Sequence, residues 1–308
     1  MTPPDPPSRG AAPGQPHAAA GPSPLIDAAA LRERLSAGEI RLIDARFELA
    51  DADAGRRTFA AGHLPGAVYA HLDHDLSDHA RPATEGRHPL PHPDGLAAAL
   101  ARWRIAPSTP VVVYDAGSGA LAAARAWWLL RWMGHRDVRV LDGGLAAWQA
   151  AQGPLEASPP RGAPSTPGPR RRDALADGWR PGSAPTVDAD AVAGRGPGDV
   201  LVDARASERF RGEVEPIDPV AGHIPGARSR PFTLNLEDGR FKPAAALRAE
   251  WRALLPNGTR PLLACGSGVT ACHHALALVH AGWPLPALYP ASWSGWCADP
   301  ARPVAVGD

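Results

Sequence analysis

Cysteine is scarce in this chain of 308 residues: Cys265, Cys272 and Cys297 are the whole complement, odd in number and late in the sequence. Such a set makes a poor disulfide framework, fits a reducing cytoplasm and leaves at least one thiol free. Long apolar runs are missing as well. No stretch approaches the roughly 20 residues that a membrane helix needs, and the N-terminus lacks the charged start and apolar middle of a secretory signal. Excess charge is the third absence, since 32 basic residues face 32 acidic ones for a formal net charge of zero. The electrostatic footprint of a nucleic-acid or anionic-membrane binder is therefore missing, and a small molecule or a protein is the expected partner. Lysine is nearly gone too, with Lys242 alone among arginines, a bias that decides no chemistry by itself.

What the chain does contain is a duplication. "LIDAR" at 42–46 returns as "LVDAR" at 201–205, and "AGHLPGA" at 61–67 returns as "AGHIPGA" at 221–227. Further on, "VVVYDAGSG" at 111–119 aligns with "PLLACGSGV" at 261–269, and Trp148 aligns with Trp296. Self-similarity of this kind predicts two copies of one domain. The copies occupy 25–150 and 183–308. They are preceded by a Pro/Gly/Ala-rich tail over 1–24 that cannot build a core, and joined by a Pro/Gly/Arg-rich linker over 151–182. Short β-rich runs at 40–43, 111–114, 138–141, 200–202 and 262–264 alternate with helical stretches. That alternation predicts an α/β fold in which each copy is a short parallel sheet flanked by helices. The helix after Cys265 carries Val269, Cys272, Ala275, Leu276 and Val279 at helical spacing, which predicts one buried face. Its counterpart "LAAARAWWLLRWMGH" is apolar nearly all round and is expected to be well buried.

The stretch "ACGSGVTAC", 264–272, puts a scarce cysteine on a glycine-rich turn between strand and helix. Glycines let successive backbone N–H groups converge on a point, and the following helix adds the positive end of its dipole. A thiolate at that point is stabilised, and the thiolate is the nucleophile. In the first copy Asp115 stands where Cys265 stands in the second, so copy one reads as scaffold and copy two as the working domain. A cysteine phosphatase shares this layout but needs an arginine six residues after the cysteine to clamp phosphate. Here that residue is Ala271.

Taken together, "CGSGVTA", the paired "GHLPGA" and "GHIPGA", the "LIDAR" and "LVDAR" strands, "RAWWLLRWMGH" and "LDGGLAAW" resemble the tandem-domain rhodanese-type sulfurtransferases. Within them the resemblance is greatest to the 3-mercaptopyruvate sulfurtransferases, over about 25–306. The resemblance implies two-step sulfur transfer: the loop cysteine takes a sulfane sulfur from a small-molecule donor, becomes a persulfide, and passes the sulfur to cyanide, a thiol or thioredoxin. It implies no metal and no organic cofactor. Thiosulfate-using members typically carry "CRKGVTA", whereas this loop has neutral Gly266 and Ser267, which favours 3-mercaptopyruvate and leaves thiosulfate as the alternative donor. Arg209 matches the family's carboxylate-binding arginine, and a planar fork suits a bidentate grip. A second such arginine, which follows an "EP" pair in family members, is replaced by Ile217. Donor binding is therefore expected to draw on Arg125 or on the loop at Gly266, Gly268, Val269 and Thr270. The family's serine, histidine and aspartate, which assist proton transfer, match Ser267, His88 and Asp73, the last two from copy one. That places the active site between the domains.

The remaining motifs have bland readings. His71, His74 and His79 lie in a His/Asp-rich loop of a kind that is ordinarily solvated, with no cysteine beside them, so no metal is expected there. His63 and His223 recur in both copies and are expected to be structural turn residues. Cys272, Trp293 and Trp296 are expected in the core, with Trp293 possible at the pocket mouth. A monomer is the expected state, and a non-catalytic persulfide carrier stands as the alternative of another class.

Overall fold

The computed structural model describes residues 23–38, 40–119, 122–158 and 173–308. The first half runs β1 (Leu25–Ile26), α1 (Ala28–Ser36), β2 (Arg41–Asp44), α2 (Ala54–Ala61), β3 (Val68–Tyr69), α3 (Pro93–Arg102), β4 (Val111–Tyr114), α4 (Ala123–Trp132), β5 (Val138–Leu141) and α5 (Gly144–Ala150). The second half runs α6 (Ala189–Ala193), β6 (Asp199–Asp203), α7 (Ser207–Phe210), β7 (Arg228–Ser229), β8 (Leu236–Glu237), β9 (Arg240–Phe241), α8 (Ala244–Leu254), β10 (Arg260–Ala264), α9 (Thr270–His280), β11 (Ala287–Leu288) and α10 (Ser292–Trp296). Local chemistry sets several starts: the Asp27 and Asp188 carboxylates accept the N–H groups of Ala30 and Ala191, and Pro93 opens α3.

The two sheets are parallel, with strand orders β1-β5-β4-β2-β3 and β11-β10-β6-β7, and each central strand is buried on both sides. The continuous run Val111–Tyr114 has every residue buried, as expected for a strand covered by helices on both faces. A short antiparallel ribbon of β8 and β9 is appended to the second half.

The duplication extends to side chains. Arg46 grips Asp44 and donates to the Gly62 carbonyl, and Arg205 grips Asp203 and donates to the Gly222 carbonyl. His63 stacks on Phe59 and donates to its carbonyl from Nδ1, and His223 does the same with Phe210; both ring centroids are 3.7 Å apart. The paired "DAR" and "GHxPGA" motifs thus fasten the turn after α2 or α7 to its own sheet.

Helices α4 and α9, one from each domain, pack against each other, and the apolar core runs through this contact from Val113 and Trp127 to Leu263 and Leu276. α4 is enclosed, as its composition predicts. α9 departs from its predicted single buried face: every residue from Ala271 to Leu278 is buried, His273 and His274 included. The reason is that α9 has its own sheet on one side and the other domain on the other. Asn235 makes the burial of two imidazoles tolerable by donating from Nδ2 to both Nδ1 atoms, while the two Nε2–H groups donate to the carbonyls of Ser118 and Arg230.

Residues 1–22 of the expected tail and 159–172 of the expected linker lie outside the described residues. Beyond the linker gap, Ala174 and Trp179 are buried, and Trp179 stacks on His135 of the first domain.

Candidate active site

The site is built at the C-terminal end of β10, where the strand runs into Cys265 and the loop leads into α9. Gly268 has φ +75°, and a Cβ there would lie 2.2 Å from the Pro290 carbonyl oxygen. Only glycine fits, and its conformation aims the Gly268 N–H at Cys265 Sγ, 3.1 Å away. The loop's carbonyls face the opposite way. Those of Cys265 and Gly266 accept from the N–H groups of Trp293 and Ser294 in α10, and the Cys265 N–H donates to Ser292 Oγ. Ser292 itself holds φ +52°.

Copy one repeats this scaffold without the thiol. The carbonyls of Asp115 and Ala116 accept from Leu145 and Ala146, and Gly144, at φ +55°, occupies the place of Ser292. There the Asp115 carboxylate accepts the N–H groups of Gly117 and Gly119 at 3.0 and 2.9 Å. The same turn therefore cradles a carboxyl group in one copy and a cysteine sulfur in the other.

Ser267, His88 and Asp73 come together across the domain boundary. Ser267 Oγ is 2.8 Å from His88 Nδ1, and His88 Nε2 is 3.4 Å from Asp73 Oδ1. With the Nε2 proton directed at the carboxylate, Nδ1 is left to accept the serine O–H. Burial lowers the pKa of His88 below the ordinary imidazole value, against the opposing pull of Asp73, so the ring is neutral at physiological pH. The His88 hydrogen bond draws the Asp73 carboxyl down to about 2. His79 places a second imidazole 3.2 Å from the same Asp73 oxygen.

Three arginines surround the loop, and their placements differ. Arg209 binds Glu215 through Nε and Nη2 and reaches Asp218 through Nη2. Its Nη1 and Nη2 lie 3.6 and 3.8 Å from the position a Cβ on Gly266 would take. Arg125, expected to help hold the donor, is instead fully enclosed and faces away from the open side of the loop. Its guanidinium donates to the carbonyl of Gly268 at 3.2 Å and to that of His88 at 3.1 Å, which ties the cysteine loop to the His88 segment. Burial lowers the pKa of Arg125, opposed by the neighbouring sulfurs of Cys272 and Cys265. Arg87, the third, was not among the expected residues. It pairs with Asp218 through Nη1, and its Nη2 lies 3.4 Å from the same Gly266 position.

Val269 and Thr270 form the start of α9, Val269 buried and Thr270 half-buried. Cys272 is buried behind the loop, donates to the Gly268 carbonyl, and has its thiol pushed up to about 12 by burial. Trp293 is buried, with Nε1 donating to the Val220 carbonyl and its ring under Arg205. Among the described residues no group of three His, Cys, Asp or Glu side chains could hold a metal ion, and no helix is long and apolar enough to cross a membrane. Sequence reasoning missed Arg87, Asp218, Ser292 and Ser294. Only Arg87 had a signal, its place next to His88 in "GRHPLP".

Fold and site define a tandem α/β protein whose second domain presents a cysteine on an anion-cradling loop, completed by residues of the first. The rhodanese-like domain model matches residues 27–151 and 188–299, and the chain belongs to that family. It is 49% identical to a probable 3-mercaptopyruvate sulfurtransferase of Pseudomonas aeruginosa, over 92% of this chain and 98% of that one. It is 43% identical to a putative thiosulfate sulfurtransferase, SseB, of Mycobacterium tuberculosis, over 92% of this chain and 97% of that one. Among solved structures it resembles the 3-mercaptopyruvate sulfurtransferase SseA of Escherichia coli, with TM-score 0.72 and 31% identity over 88% of this chain and 99% of that one.

Proposed function

We propose that this protein is a sulfurtransferase that takes sulfur from 3-mercaptopyruvate through a Cys265 persulfide and releases pyruvate. The observation that carries the donor assignment is the neutral loop, Gly266 and Ser267, beneath an arginine that stands outside it. A carboxylate held by Arg209 is set back from the sulfur, where a loop cation would instead pull a dianion onto it.

In the first half-reaction the Cys265 thiolate attacks the donor sulfur. A bond from Sγ to that sulfur forms and the carbon–sulfur bond breaks, its electron pair passing to the methylene carbon as pyruvate enolate. The Ser267 O–H, backed by neutral His88 and by Asp73, protonates that carbon. The donor's thiol proton replaces the one delivered, so the net products are pyruvate and a persulfide anion. The Gly268 N–H stabilises the persulfide as it does the thiolate. In the second half-reaction a thiol, thioredoxin or cyanide attacks the outer sulfur, and Cys265 leaves as thiolate. No metal or organic cofactor enters this route. The protein acts as a cytoplasmic monomer in this reading.

Thiosulfate is the second reading, supported by the name of the Mycobacterium tuberculosis relative. Measuring kcat/KM for both donors on one preparation decides between them, and a clear preference for thiosulfate overturns the donor assignment. Cys265→Ser is expected to abolish turnover and the mass gain of one sulfur atom on incubation with donor. Retained activity in that variant overturns the mechanism, and a single loading without turnover in the unaltered protein identifies a carrier.

A further inference from the structure

We propose that Arg125 is the positioning residue of the proton-transfer step: from the first domain, its guanidinium holds the main chain on both sides of the Ser267–His88 contact and so sets that contact. This rests on the reading that the carbon released from the donor is protonated through Ser267 and His88. Arg125 lies on α4, fully enclosed, in a run buried from Ala123 to Leu130. One arm, Nη1, donates to the carbonyl of Gly268, the residue after Ser267, at 3.2 Å. The other, Nη2, donates to the carbonyl of His88 itself at 3.1 Å and lies 3.4 Å from those of Pro89 and Leu76. Between the two held carbonyls runs the 2.8 Å contact of Ser267 Oγ with His88 Nδ1. Arginine, loop, serine and histidine thus close a ring across the domain boundary, and the planar fork fixes the angle at which its two arms meet the two segments.

An arginine at this depth is a costly way to pack a helix. Burying a guanidinium forfeits its hydration, and apolar residues often replace buried charges without loss of stability. Docking of the domains alone needs less, as the reverse contact shows. There α9 reaches the Asp115 loop with a neutral imidazole, the single Nε2–H of His273 donating to the Ser118 carbonyl. The loop without a cysteine is thus met by one donor. The loop with the cysteine is met by a two-armed one that also takes hold of the histidine facing its serine. The two ends of the ring are not held equally. On the loop side Cys272 donates to the same Gly268 carbonyl, and the loop keeps its bonds to α10; on the other side Arg125 is the donor to the His88 carbonyl. Losing the fork therefore frees the His88 segment while the cysteine loop stays anchored.

Two sulfur donors separate positioning from a general loosening of the site. With inorganic polysulfide, a bond from Cys265 Sγ to the terminal sulfur forms, and a shorter polysulfide anion leaves with the electron pair of the broken sulfur–sulfur bond and needs no proton. With 3-mercaptopyruvate the released carbon must be protonated. Single-turnover persulfide formation is followed by mass spectrometry with each donor, on the full chain and on Arg125→Lys and Arg125→Gln. Lysine keeps the positive charge beside the sulfurs but not the fork. Misplacing the serine and histidine is expected to slow loading from 3-mercaptopyruvate about a hundredfold in Arg125→Lys, with polysulfide loading and discharge of the persulfide to cyanide unchanged. Arg125→Lys added to His88→Ala is expected to slow it no further, as for two residues acting through one contact. Full-rate loading from 3-mercaptopyruvate in Arg125→Lys, an equal loss with polysulfide, or an additive loss on top of His88→Ala overturns the proposal. Should Arg125→Lys not fold, Arg125→Gln decides on the same rates; if neither folds, the arginine is a requirement of the fold and the proposal is overturned. An unaltered protein that takes sulfur from polysulfide but not from 3-mercaptopyruvate overturns the proposed donor and this proposal with it. Equal loading from 3-mercaptopyruvate in the unaltered protein and the variants overturns this proposal alone.

Discussion

Gly266 and Gly268 stand two positions apart for different physical reasons. Gly268 holds a left-handed backbone against the Pro290 carbonyl, so it is required by conformation and by sterics together. Gly266 is not in the left-handed region, and a Cβ there would meet only the ends of two arginines at ordinary contact distance, so no strain or clash demands glycine; its lack of a side chain leaves the arginine ends facing the loop. Gly268→Ala is therefore expected to destabilise the fold by about 1–2 kcal/mol from backbone strain alone, with more from displacing Pro290. It also turns the N–H that reaches Cys265 Sγ, so kcat falls even where the protein stays folded. Denaturant unfolding and single-turnover persulfide formation measured on the same sample check both effects, and a variant with unchanged stability refutes the steric account. Arg125 and Arg87 make a similar contrast. Both are arginines near the loop, but the first gives its N–H groups to carbonyls that hold the loop's back, and the second leaves one pair of N–H groups facing the front.

At the scale of elements, α9 is where sequence reading and structure part company. The Cys265 loop, the strand before it and the matching turn at Asp115 were legible, because each depends on local residues in order. Ser267, His88 and Asp73 were legible only through the family resemblance, since nothing local tells a serine of one domain that a histidine of the other will face it. The burial of His273 and His274 was not legible at all: helical spacing marks one apolar face, and the second is created by contact with the other domain. That burial has a measurable consequence. Burial lowers His273 to about 3 and His274 well below 6.5. Above pH 6.5 both states carry neutral imidazoles and the pair contributes nothing to the pH dependence of stability. Below it the unfolded chain takes up protons that the folded one refuses, at His273 until about pH 3, so stability falls as pH drops, by up to about 1.4 kcal/mol per pH unit for each histidine that stays neutral in the fold. Thermal midpoints from pH 7 to 4 are expected to decline in the unaltered protein and to decline less steeply in His273→Gln, whatever the absolute stability of that variant. Equal slopes refute the assignment.

The whole molecule is a duplicated fold whose two copies are tied together around the candidate site. The candidate proton path runs from Ser267 to His88 across the boundary, Arg125 of one domain holds the Gly268 carbonyl of the other, and Asp218 pairs with arginines from both. The Asp142 carboxylate accepts from the Phe241 N–H, and His273 donates to the Ser118 carbonyl. Beneath these contacts lies one apolar core shared through α4 and α9. Burying a large apolar side chain stabilises by about 1.5–3 kcal/mol, so uncovering even four of them would forfeit about 6–12 kcal/mol, comparable with the net stability of about 5–15 kcal/mol of an entire domain. A state with one domain folded and the other unfolded would bear that loss together with the broken His273–Ser118 and Arg125–Gly268 hydrogen bonds across the boundary. The two domains are therefore expected to unfold in one cooperative transition, despite the tandem repeat. Differential scanning calorimetry checks this directly: the calorimetric and van't Hoff enthalpies should agree for the full chain. Two resolved transitions, or a van't Hoff value near half the calorimetric one, would mean that the domains melt independently and that the α4–α9 contact is a docking surface between stable units. The catalytic consequence would differ too, because independently stable domains could open and carry His88 and Arg87 away from Cys265, whereas a single cooperative unit keeps the site assembled between turnovers.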